Sequence, residues 1–258
     1  MLYLPARGES VIETLLKDRT TERNILWANA EREAKEILPE QIHLIKPRHE
    51  KIRAQQKKRT RDRAEIFTPP DVCEFQNDLV AAPFKDDREK FIHAKFLEIT
   101  CGEAPYITTR YNAVTGEYIA FDDRVGLLDQ KLKVIAETKP TLDLTLDALK
   151  SVYGYEFQGD NLFIARRNVF DTVAEFLFGK TAAKEYKETL KEVAEIISWN
   201  LWQMDGITNK IPYADENPNM DLFDKNTQKP PEKIFCEIMD WEKKKPIQFR
   251  TLLEGGRR

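Results

Sequence analysis

The chain has 258 residues, of which 33% are charged and 41% are hydrophobic, and its formal net charge is −3. No apolar run approaches the roughly 18 residues of a membrane-spanning helix, and the apolar content is that of a folded chain, so composition argues against a transmembrane protein and a wholly disordered one. The length suits one sizeable α/β domain with an appendage.

Cysteine and histidine usage argues against two further classes. The three cysteines, Cys73, Cys101 and Cys236, lie far apart, form no CxxC pair and are accompanied by only three histidines. We therefore expect neither a disulfide framework nor a zinc enzyme. Free cysteines, together with an amino-terminal stretch that turns polar after five residues, favour a reduced, cytoplasmic location without a secretory signal.

The first 63 residues are predicted to form a helical extension that ends in a basic arm. Residues 9–38 mix apolar and paired charged side chains in a pattern typical of amphipathic helix, with a break near Arg19–Glu22. Residues 45–63 then carry nine Lys or Arg against two acidic side chains, a net charge of +7, which leaves −10 on the rest of the chain. The near-neutral total conceals an acidic body with a basic arm.

Two interpretations of the basic arm stay open. Its cations could neutralise several DNA phosphates, which gives binding that is independent of sequence and strongly dependent on salt. The arm could equally be a solvated charged helix or linker. No aromatic side chain interleaves the basic residues, which argues against base stacking. The candidate DNA-binding residues are Lys51, Arg53, Lys57, Lys58, Arg59, Arg61 and Arg63, with Arg110, Arg124, Arg166 and Arg167 as further candidates outside the arm.

Residues 64–258 are predicted to fold as an α/β domain. The prolines of FTPPDV start a helix over 71–81, and residues 104–121 read as a β-hairpin. Three strands separated by helices favour a sheet with ligand chemistry at the carboxyl ends of its strands. The predicted strands are 95–100, 151–157 and 196–203, the predicted helices are 124–137, 142–150, 162–178 and 182–195, and a last strand pair is expected around 234–241 and 247–253.

Small or acidic residues end each of the three predicted strands. Glu98, Cys101 and Gly102 end the first, Glu156 the second and Asp205 the third. A nucleoside cofactor lying across a parallel sheet needs such groups: a glycine for close approach, a carboxylate for ribose hydroxyls and an acceptor for the adenine amino group. Strand ends are also rich in these residues because helices need caps, and the spacing alone leaves both interpretations open.

Four segments occur in the order of a known family: FTPPDVCEF, FLEITCGEAPY, YGYEFQGDNLFIARRNV and WNLWQMDG. They resemble the cofactor-side motifs of class I S-adenosylmethionine-dependent adenine-N6 DNA methyltransferases. More narrowly, they are similar to modification subunits of restriction systems with the gamma motif order, in which a Thr-Pro-Pro motif precedes the glycine motif. The resemblance runs from about Phe67 to Gly206. It implies a Rossmann-like class I methyltransferase sheet, complete or truncated, with S-adenosylmethionine as cofactor.

The resemblance also implies roles for the residues that match the family motifs. Glu156 would accept the ribose hydroxyls, with Phe157 against the adenine. Asp205 would take the adenine amino group. The methionine part of the cofactor would be held by Thr68 and Pro69 and by a loop made of Glu98, Thr100, Cys101 and Gly102.

The spacing between two of these motifs departs from the family pattern. Gly102 and Glu156 are 54 residues apart, more than the compact strand–helix–strand unit of the family requires. The excess forms an insert at about 104–140. This insert could be a lid, a surface for DNA or protein, or a decoration of the sheet edge.

The catalytic tetrapeptide of the family, Asn/Asp-Pro-Pro-Tyr/Phe, is not recognisable after Asp205. Such a motif orients the amine of a flipped adenine toward the methyl donor. The nearest segments are ENPN at 216–219, KPPE at 229–232 and IPY at 211–213, and each lacks part of the motif. No catalytic residue is therefore assigned.

Two functions follow as expectations. The first is an S-adenosylmethionine-binding DNA adenine-N6 methyltransferase-like protein of a DNA modification or restriction-modification system, with DNA as partner. A protein partner would then supply catalytic or target-recognition elements. The second is a catalytically inactive methyltransferase-like component of a defence or phage system that binds DNA or protein. The sequence leaves open which of the two applies.

Overall fold

A computed structural model of the chain describes residues 9–28, 34–63, 68–138, 140–179, 186–212 and 235–255. The segments 216–219 and 229–232, which most nearly match the catalytic tetrapeptide, lie outside the described residues, and so does Tyr213.

Helices and strands alternate along the described residues. The helices are α1 (Glu9–Leu16), α2 (Arg53–Arg63), α3 (Pro70–Ala81), α4 (Arg88–His93), α5 (Leu127–Glu137), α6 (Leu142–Lys150), α7 (Gly159–Phe178), α8 (Lys187–Asn200) and α9 (Phe249–Gly255). The strands are β1 (Leu26–Ala28), β2 (Ala34–Glu36), β3 (Phe96–Glu98), β4 (Val152–Glu156), β5 (Leu201–Gln203), β6 (Glu237–Asp240) and β7 (Lys245–Gln248).

A three-stranded parallel sheet lies at the centre of the fold. β4 lies between β3 and β5, with Leu97 opposite Tyr153 and Tyr155 opposite Trp202. Parallel neighbours need long crossovers, which α5 and α6 supply between β3 and β4, and α7 and α8 between β4 and β5. The carboxyl ends of all three strands therefore lie at one edge. The predicted α/β class with a parallel sheet is confirmed at this level.

Apolar layers cover both faces of the parallel sheet. On one face Val152 joins a core that includes side chains of α5, α6, α7 and α8. On the other face Tyr155 and Trp202 pack against Phe249 of α9, beside the antiparallel pair β6–β7. Parallel sheets are normally buried on both faces, which accounts for strands that read as nearly continuous apolar runs.

The amino-terminal segment contributes α1 to the same core. Arg166 of α7 is fully buried and donates to the carbonyl groups of Leu15, Lys17, Ser198 and Leu201. Burial lowers the pKa of this guanidinium to about 9. The prediction that Arg166 contacts phosphate is wrong, because its donors are used inside the protein. The division into an amino-terminal extension that ends at residue 63 and an α/β domain that begins at residue 64 stays a prediction.

Residues 9–38 do not form the broken helix that their charge pattern predicts. α1 ends at Leu16, and the chain then turns and enters the antiparallel strands β1 and β2. The side chain of Asp18 accepts hydrogen bonds from the Thr20 N–H and the Thr21 hydroxyl. Such a local turn competes with helix, which explains why the helix does not resume.

The third predicted strand is shorter than expected. α8 continues to Asn200, whose side-chain amide donates to the carbonyl groups of Leu149 and Val152, and only Leu201–Gln203 are extended. The run from Ile196 onward is therefore mostly a buried helical turn. A short apolar run does not by itself distinguish a buried helix from a buried strand.

Two other predicted strand pairs are reduced in the structure. Around Asn112–Gly116 the chain makes a turn whose arms form only an isolated bridge between Tyr111 and Tyr118. In the carboxyl-terminal pair, β7 ends at Gln248 and the following residues form α9.

Most of the other elements agree with the sequence-based expectations. The helices at 70–81, 127–137 and 142–150 and the strands at 96–98 and 152–156 are confirmed. None of the helices in the described part of the chain is long and apolar enough to cross a membrane.

Candidate functional site

A cavity of about 450 Å³ lies between α3 and the outer edge of β3. Its lining brings together five of the nine residues implied for the cofactor: Thr68, Glu98, Thr100, Cys101 and Gly102. The other four, Pro69, Glu156, Phe157 and Asp205, do not line it. Five of the six residues implied for the methionine part are thus assembled, all but Pro69, whereas those implied for ribose and adenine are not in this cavity.

The loop after β3 has an unusual backbone. Thr100, Gly102 and Ala104 have φ values of 50°, 56° and 62°, in the left-handed region. Only glycine adopts this region freely, and a β-branched residue such as threonine is an outlier there. The Cys101 N–H donates to the Tyr155 carbonyl at 2.8 Å and holds the loop to β4. Strain of this kind concentrates at ligand sites, where the surrounding structure sustains it.

Glu98, the last residue of β3, presents an unsatisfied oxygen in this region. Its Oε1 accepts the Tyr106 N–H at 3.4 Å, whereas its buried Oε2 has no hydrogen-bond partner among the described residues. Burial raises the pKa of this carboxyl well above its usual value; the main-chain N–H groups of Tyr106 and Ile107 lower the pKa in part, and the nearby Glu156 raises it. Burial therefore favours the protonated carboxyl in the free protein, and a cationic donor beside Oε2 would favour its ionised form.

Glu156, at the end of β4, links two strand ends. Its Oε2 accepts the Gly102 N–H and its Oε1 accepts the Gln158 N–H, both at 2.9 Å, and the residue is buried. The carboxylate therefore holds the loop after β3 against the loop after β4. The left-handed loop is thus fixed by a carboxylate that does not itself line the cavity.

The opposite wall of the cavity is α3, which is attached by one buried amide. Asn77 donates to the carbonyl groups of Tyr106 and Val125 at 3.0 and 2.9 Å, and Tyr106 in turn bonds to Gln76. Sequence reasoning missed Asn77 and Tyr106. The signal for Asn77 was its spacing from the buried Cys73, since residues four apart share one face of a helix.

The space between the carboxyl ends of β4 and β5 is filled by protein. Gln203 accepts the Leu26 N–H at 2.6 Å and donates to the carbonyl groups of Leu26 and Phe157. A side-chain carbon added at Gly159 would lie 2.1 Å from the Leu26 carbonyl oxygen, so β1 packs directly on the first turn of α7. The strand β1 thus occupies the place that the resemblance implies for the adenosine part.

Asp205 takes part in a local turn beyond β5. Its Oδ1 accepts the Ile207 N–H at 2.8 Å, and its main chain bridges to Lys210. The neighbouring Gly206 lies against the ring of Tyr155. Asp205 is therefore held by the turn and does not share a cavity with Glu98.

The basic arm lies beside the end of β4. Arg59 and Lys51 approach Asp160 in the first turn of α7, at 2.7 and 3.5 Å, and both basic side chains are largely buried. The arm therefore divides into residues directed at the protein and residues directed outward. The exposed basic side chains are Arg53, Lys57, Lys58 and Arg61, and the side chain of Arg63 lies outside the described part of the arm.

The further arginine candidates bind acidic side chains of α7. Arg110 and Arg124 in the insert both lie 2.9 Å from Glu175, and Arg167 lies 4.0 Å from Asp171. Arg124 is fully buried, so the prediction that it contacts phosphate is wrong. The ion pairs with Glu175 attach the insert to the helical layer.

No protein-family model, curated protein or solved structure matches this chain. The resemblance to the methyltransferases therefore stands on the four motifs and their order. Within the described ranges, no group of His, Cys, Asp and Glu side chains could hold a metal ion. A function has to be argued from the cavity and its surroundings, because a fold alone does not imply one.

Proposed function

We propose that the cavity between α3 and β3 binds S-adenosylmethionine and that the chain is an adenine-N6 methyltransferase-like protein of DNA modification. The observation that carries this proposal is the buried Glu98 Oε2, which has no hydrogen-bond partner within the described part of the chain and lies at a cavity whose opposite wall includes Thr68. A buried acceptor without a donor costs free energy, which a ligand with a donor recovers. The ammonium group of the methionine part would be that donor.

The residues of the cavity fit the methionine part of the cofactor. Thr100, Cys101 and Gly102 of the left-handed loop line the cavity, and Gly102 would allow a close approach of the methionine part to the backbone. Thr68 would contact the methionine chain from the side of α3. When bound, the cofactor supplies a methyl group on a positively charged sulfur, and the carboxyl groups of Glu98 and Glu156 favour a cation nearby.

DNA as the partner is supported by the position of the basic arm. Arg53, Lys57 and Lys58 are exposed on α2, and the arm contacts Asp160 four residues after the end of β4. Cations at this edge of the sheet would bring a DNA backbone to the side of the molecule that carries the cavity.

Two observations favour the second candidate, an inactive methyltransferase-like component. Gln203 and Leu26 fill the space at the carboxyl ends of β4 and β5. Asp205 is held in a turn outside the cavity. The adenosine part would then have to bind differently from the way the resemblance implies. In this candidate the domain binds DNA or protein without transferring a methyl group.

Calorimetric titration with S-adenosylmethionine tests the cofactor proposal. We expect binding to the unchanged protein and a loss of about 10-fold or more in affinity for Glu98→Gln, which keeps the shape but not the charge. Glu89→Gln, an exposed change on α4, is the matched control and should bind normally. Absence of binding to the unchanged protein would overturn the proposal.

The pH dependence of the same titration reports on Glu98 directly. An ammonium ligand favours the ionised carboxyl, whose pKa is raised in the free protein, so binding should release a proton and strengthen as the pH rises. Buffers with different ionisation enthalpies would show this release in the unchanged protein and not in Glu98→Gln. Transfer of a labelled methyl group to adenine-containing DNA would then separate an enzyme from the inactive component.

A further inference from the structure

The outer edge of β3 is open and borders the cavity. The Phe96 N–H donates to the Ser151 carbonyl at 2.9 Å, on the side of β4. Since successive residues of a parallel strand direct their main-chain groups to alternate sides, the N–H and carbonyl of Leu97 point away from β4. No strand in the described part of the chain pairs with this edge. Leu97 therefore offers one hydrogen-bond donor and one acceptor, side by side, to a ligand.

The main chain of Leu97 faces this cavity. Leu97 is in register with Tyr153, so the two side chains share one face of the sheet. Tyr153 packs against the apolar cluster that contains Trp202 and Phe249, on the face away from α5 and α6. The cavity is lined by α3 and by Leu127 of α5, and Leu97 lines it as well. The atoms of Leu97 that reach the cavity are therefore those of its main chain.

The cavity is larger than the methionine part of the cofactor needs. Its volume of about 450 Å³ falls within the roughly 300–1,000 Å³ of pockets that enclose a whole small-molecule ligand. Glu98 is the only carboxyl group among the described residues that line it, and this lining contains no Lys, Arg or His. The ammonium group is thus directed to one place, and the uncharged remainder of the cavity has room for the rest of the cofactor.

Apolar and aromatic side chains surround the space in front of the open edge. Val80 of α3 and Leu127 of α5 line the cavity, and so does Tyr106, whose hydroxyl bonds to Gln76. A purine has two flat apolar faces and a polar rim, and its faces stack favourably on an aromatic side chain. The cavity therefore provides apolar surface for the faces of a purine, while the strand edge provides polar groups for its rim.

The polar groups of the edge match the rim of adenine. Adenine carries an amino donor beside a ring-nitrogen acceptor, and the carbonyl and N–H of Leu97 are an acceptor beside a donor. Hypoxanthine carries the reverse pattern, with a carbonyl beside a ring N–H. The place that the resemblance implies for the adenosine part is filled by Leu26 and Gln203, so a bound cofactor needs another site for its base.

We propose that the outer edge of β3 binds the adenine ring of the cofactor, with the Leu97 N–H donating to the ring nitrogen and the Leu97 carbonyl accepting from the amino group. Tyr106 provides aromatic surface beside the ring, and the methionine part remains at Glu98. The cofactor would thus lie along β3 instead of across the carboxyl ends of β3 and β4. The inference rests on the proposed function and adds to it the site of the adenosine part.

Two ligands that differ only in the base are the first test. S-adenosylmethionine and its analogue with hypoxanthine in place of adenine share the methionine part and the sulfonium. In calorimetric titration we expect S-adenosylmethionine to bind about 10-fold or more tightly, because hypoxanthine sets donor against donor and acceptor against acceptor at Leu97. Equal affinities would overturn this inference and leave the cofactor proposal standing, whereas absence of binding by both ligands would overturn both.

Amide exchange, followed by NMR, locates the base on the protein. In the free protein the Leu97 amide should exchange much faster than the amides of Phe96 and Cys101, whose N–H groups are bonded to Ser151 and Tyr155. S-adenosylmethionine should slow the exchange at Leu97, and the hypoxanthine analogue should not. Exchange at Leu97 that is already slow in the free protein, or that bound S-adenosylmethionine leaves unchanged, would overturn the inference.

Two substitutions at one position separate the main chain from the side chain. Leu97→Pro removes the N–H, and an edge strand tolerates proline where its N–H faces away from the sheet. Leu97→Ala keeps the N–H and shortens a side chain on the opposite face. We expect Leu97→Pro to lose about 10-fold in affinity for S-adenosylmethionine and most of its preference for adenine, and Leu97→Ala to retain that preference. Far-ultraviolet circular dichroism would establish that each variant is folded, and an equal preference in both folded variants would overturn the inference.

Discussion

The main-chain N–H of Gly102 donates to Glu156 Oε2 at 2.9 Å and joins two strand ends that are 54 residues apart in sequence. The bond fixes the left-handed loop against the end of β4, while no described residue forms a hydrogen bond with Glu98 Oε2. One carboxylate thus organises the loop and the other is available to a ligand. This difference between two acidic residues at neighbouring strand ends makes the cavity a candidate site for a cationic ligand.

Removal of the Glu156 carboxylate should destabilise the protein. Glu156→Ala leaves the N–H groups of Gly102 and Gln158 without acceptors, and we expect the free energy of unfolding in urea to fall by about 2–3 kcal/mol. Glu156→Gln keeps one oxygen acceptor and should cost about half as much. Glu89→Ala, at an exposed position, should change stability by less than about 0.5 kcal/mol. Equal stability of Glu156→Ala and Glu89→Ala would contradict the linking role.

Replacement of Thr100 by glycine should stabilise the protein. Thr100 has a φ of 50°, which costs a side-chain-bearing residue about 1–2 kcal/mol, and glycine removes this strain at a smaller entropic cost. We expect Thr100→Gly to raise the free energy of unfolding by about 0.5–1 kcal/mol. Thr115 does not have a positive φ, and its side chain is bonded to Glu117 in a turn. Thr115→Gly should therefore lower the free energy of unfolding. A loss of stability in Thr100→Gly would show that the threonine side chain is needed.

The sequence predicted β3 and β4 because each strand is a short apolar run, although only β4 is largely buried and Leu97 of β3 is 43% exposed. Phe96–Glu98 and Val152–Glu156 read as short apolar runs between polar turns, which is the pattern of a parallel sheet. The third strand was overestimated because Ile196 onward packs as helix, and the choice between helix and strand was made by contacts of α8 with the rest of the core. Local pattern does not contain those contacts.

The candidate site was predictable in part for a similar reason. Thr68, Glu98 and Gly102 meet in one cavity, as the motif order implies. The position of Leu26 against Gln203, 177 residues away in sequence, could not be read from either segment, because a glutamine side chain that binds main-chain groups has no sequence signature. The spacing of Asn77 from Cys73 indicates a shared helix face, but its partners, two backbone carbonyl groups, could not be predicted from the sequence.

Lys131 of α5 is a buried cation at the opposite end of the sheet. Its Nζ donates to the carbonyl groups of Ala94 and Ile92 at 2.6 and 3.1 Å and to the Ser151 hydroxyl, and it lies over the ring of Phe96. Burial lowers the pKa of this ammonium group to about 7. The folded protein therefore releases this proton at a lower pH than the unfolded chain does.

Stability should depend on pH through Lys131. Between about pH 7 and the usual lysine pKa near 10.5, the unfolded chain holds a proton that the folded protein has lost, so this residue makes stability rise with pH by up to about 1.4 kcal/mol per unit. The buried cysteines, whose pKa values are raised by burial, act in the opposite direction above the ordinary thiol pKa. We therefore compare the unchanged protein with Lys131→Met between pH 7 and about 8.5, where the free energy of unfolding in urea should rise less steeply with pH in the variant. Identical slopes would contradict the shifted pKa.

The outward residues of the basic arm should control the salt dependence of DNA binding. Lys57 and Lys58 are exposed on α2, so Lys57→Gln with Lys58→Gln should lower the slope of log affinity against log salt by about 0.9 for each phosphate that the variant no longer neutralises. Fluorescence anisotropy with duplex DNA at several salt concentrations measures this slope. An unchanged slope would show that α2 does not contact phosphate.

Arg59→Gln is the matched change on the inward side of the same helix. Because Arg59 lies 2.7 Å from the buried Asp160, its loss should lower the free energy of unfolding by about 2 kcal/mol while leaving the salt slope of the folded protein nearly unchanged. The two variants thus separate a cation that holds the arm to α7 from cations that reach DNA. A lower slope in Arg59→Gln, with no loss of stability, would mean that the arm leaves α7 when DNA binds, since Arg59 would then exchange Asp160 for phosphate.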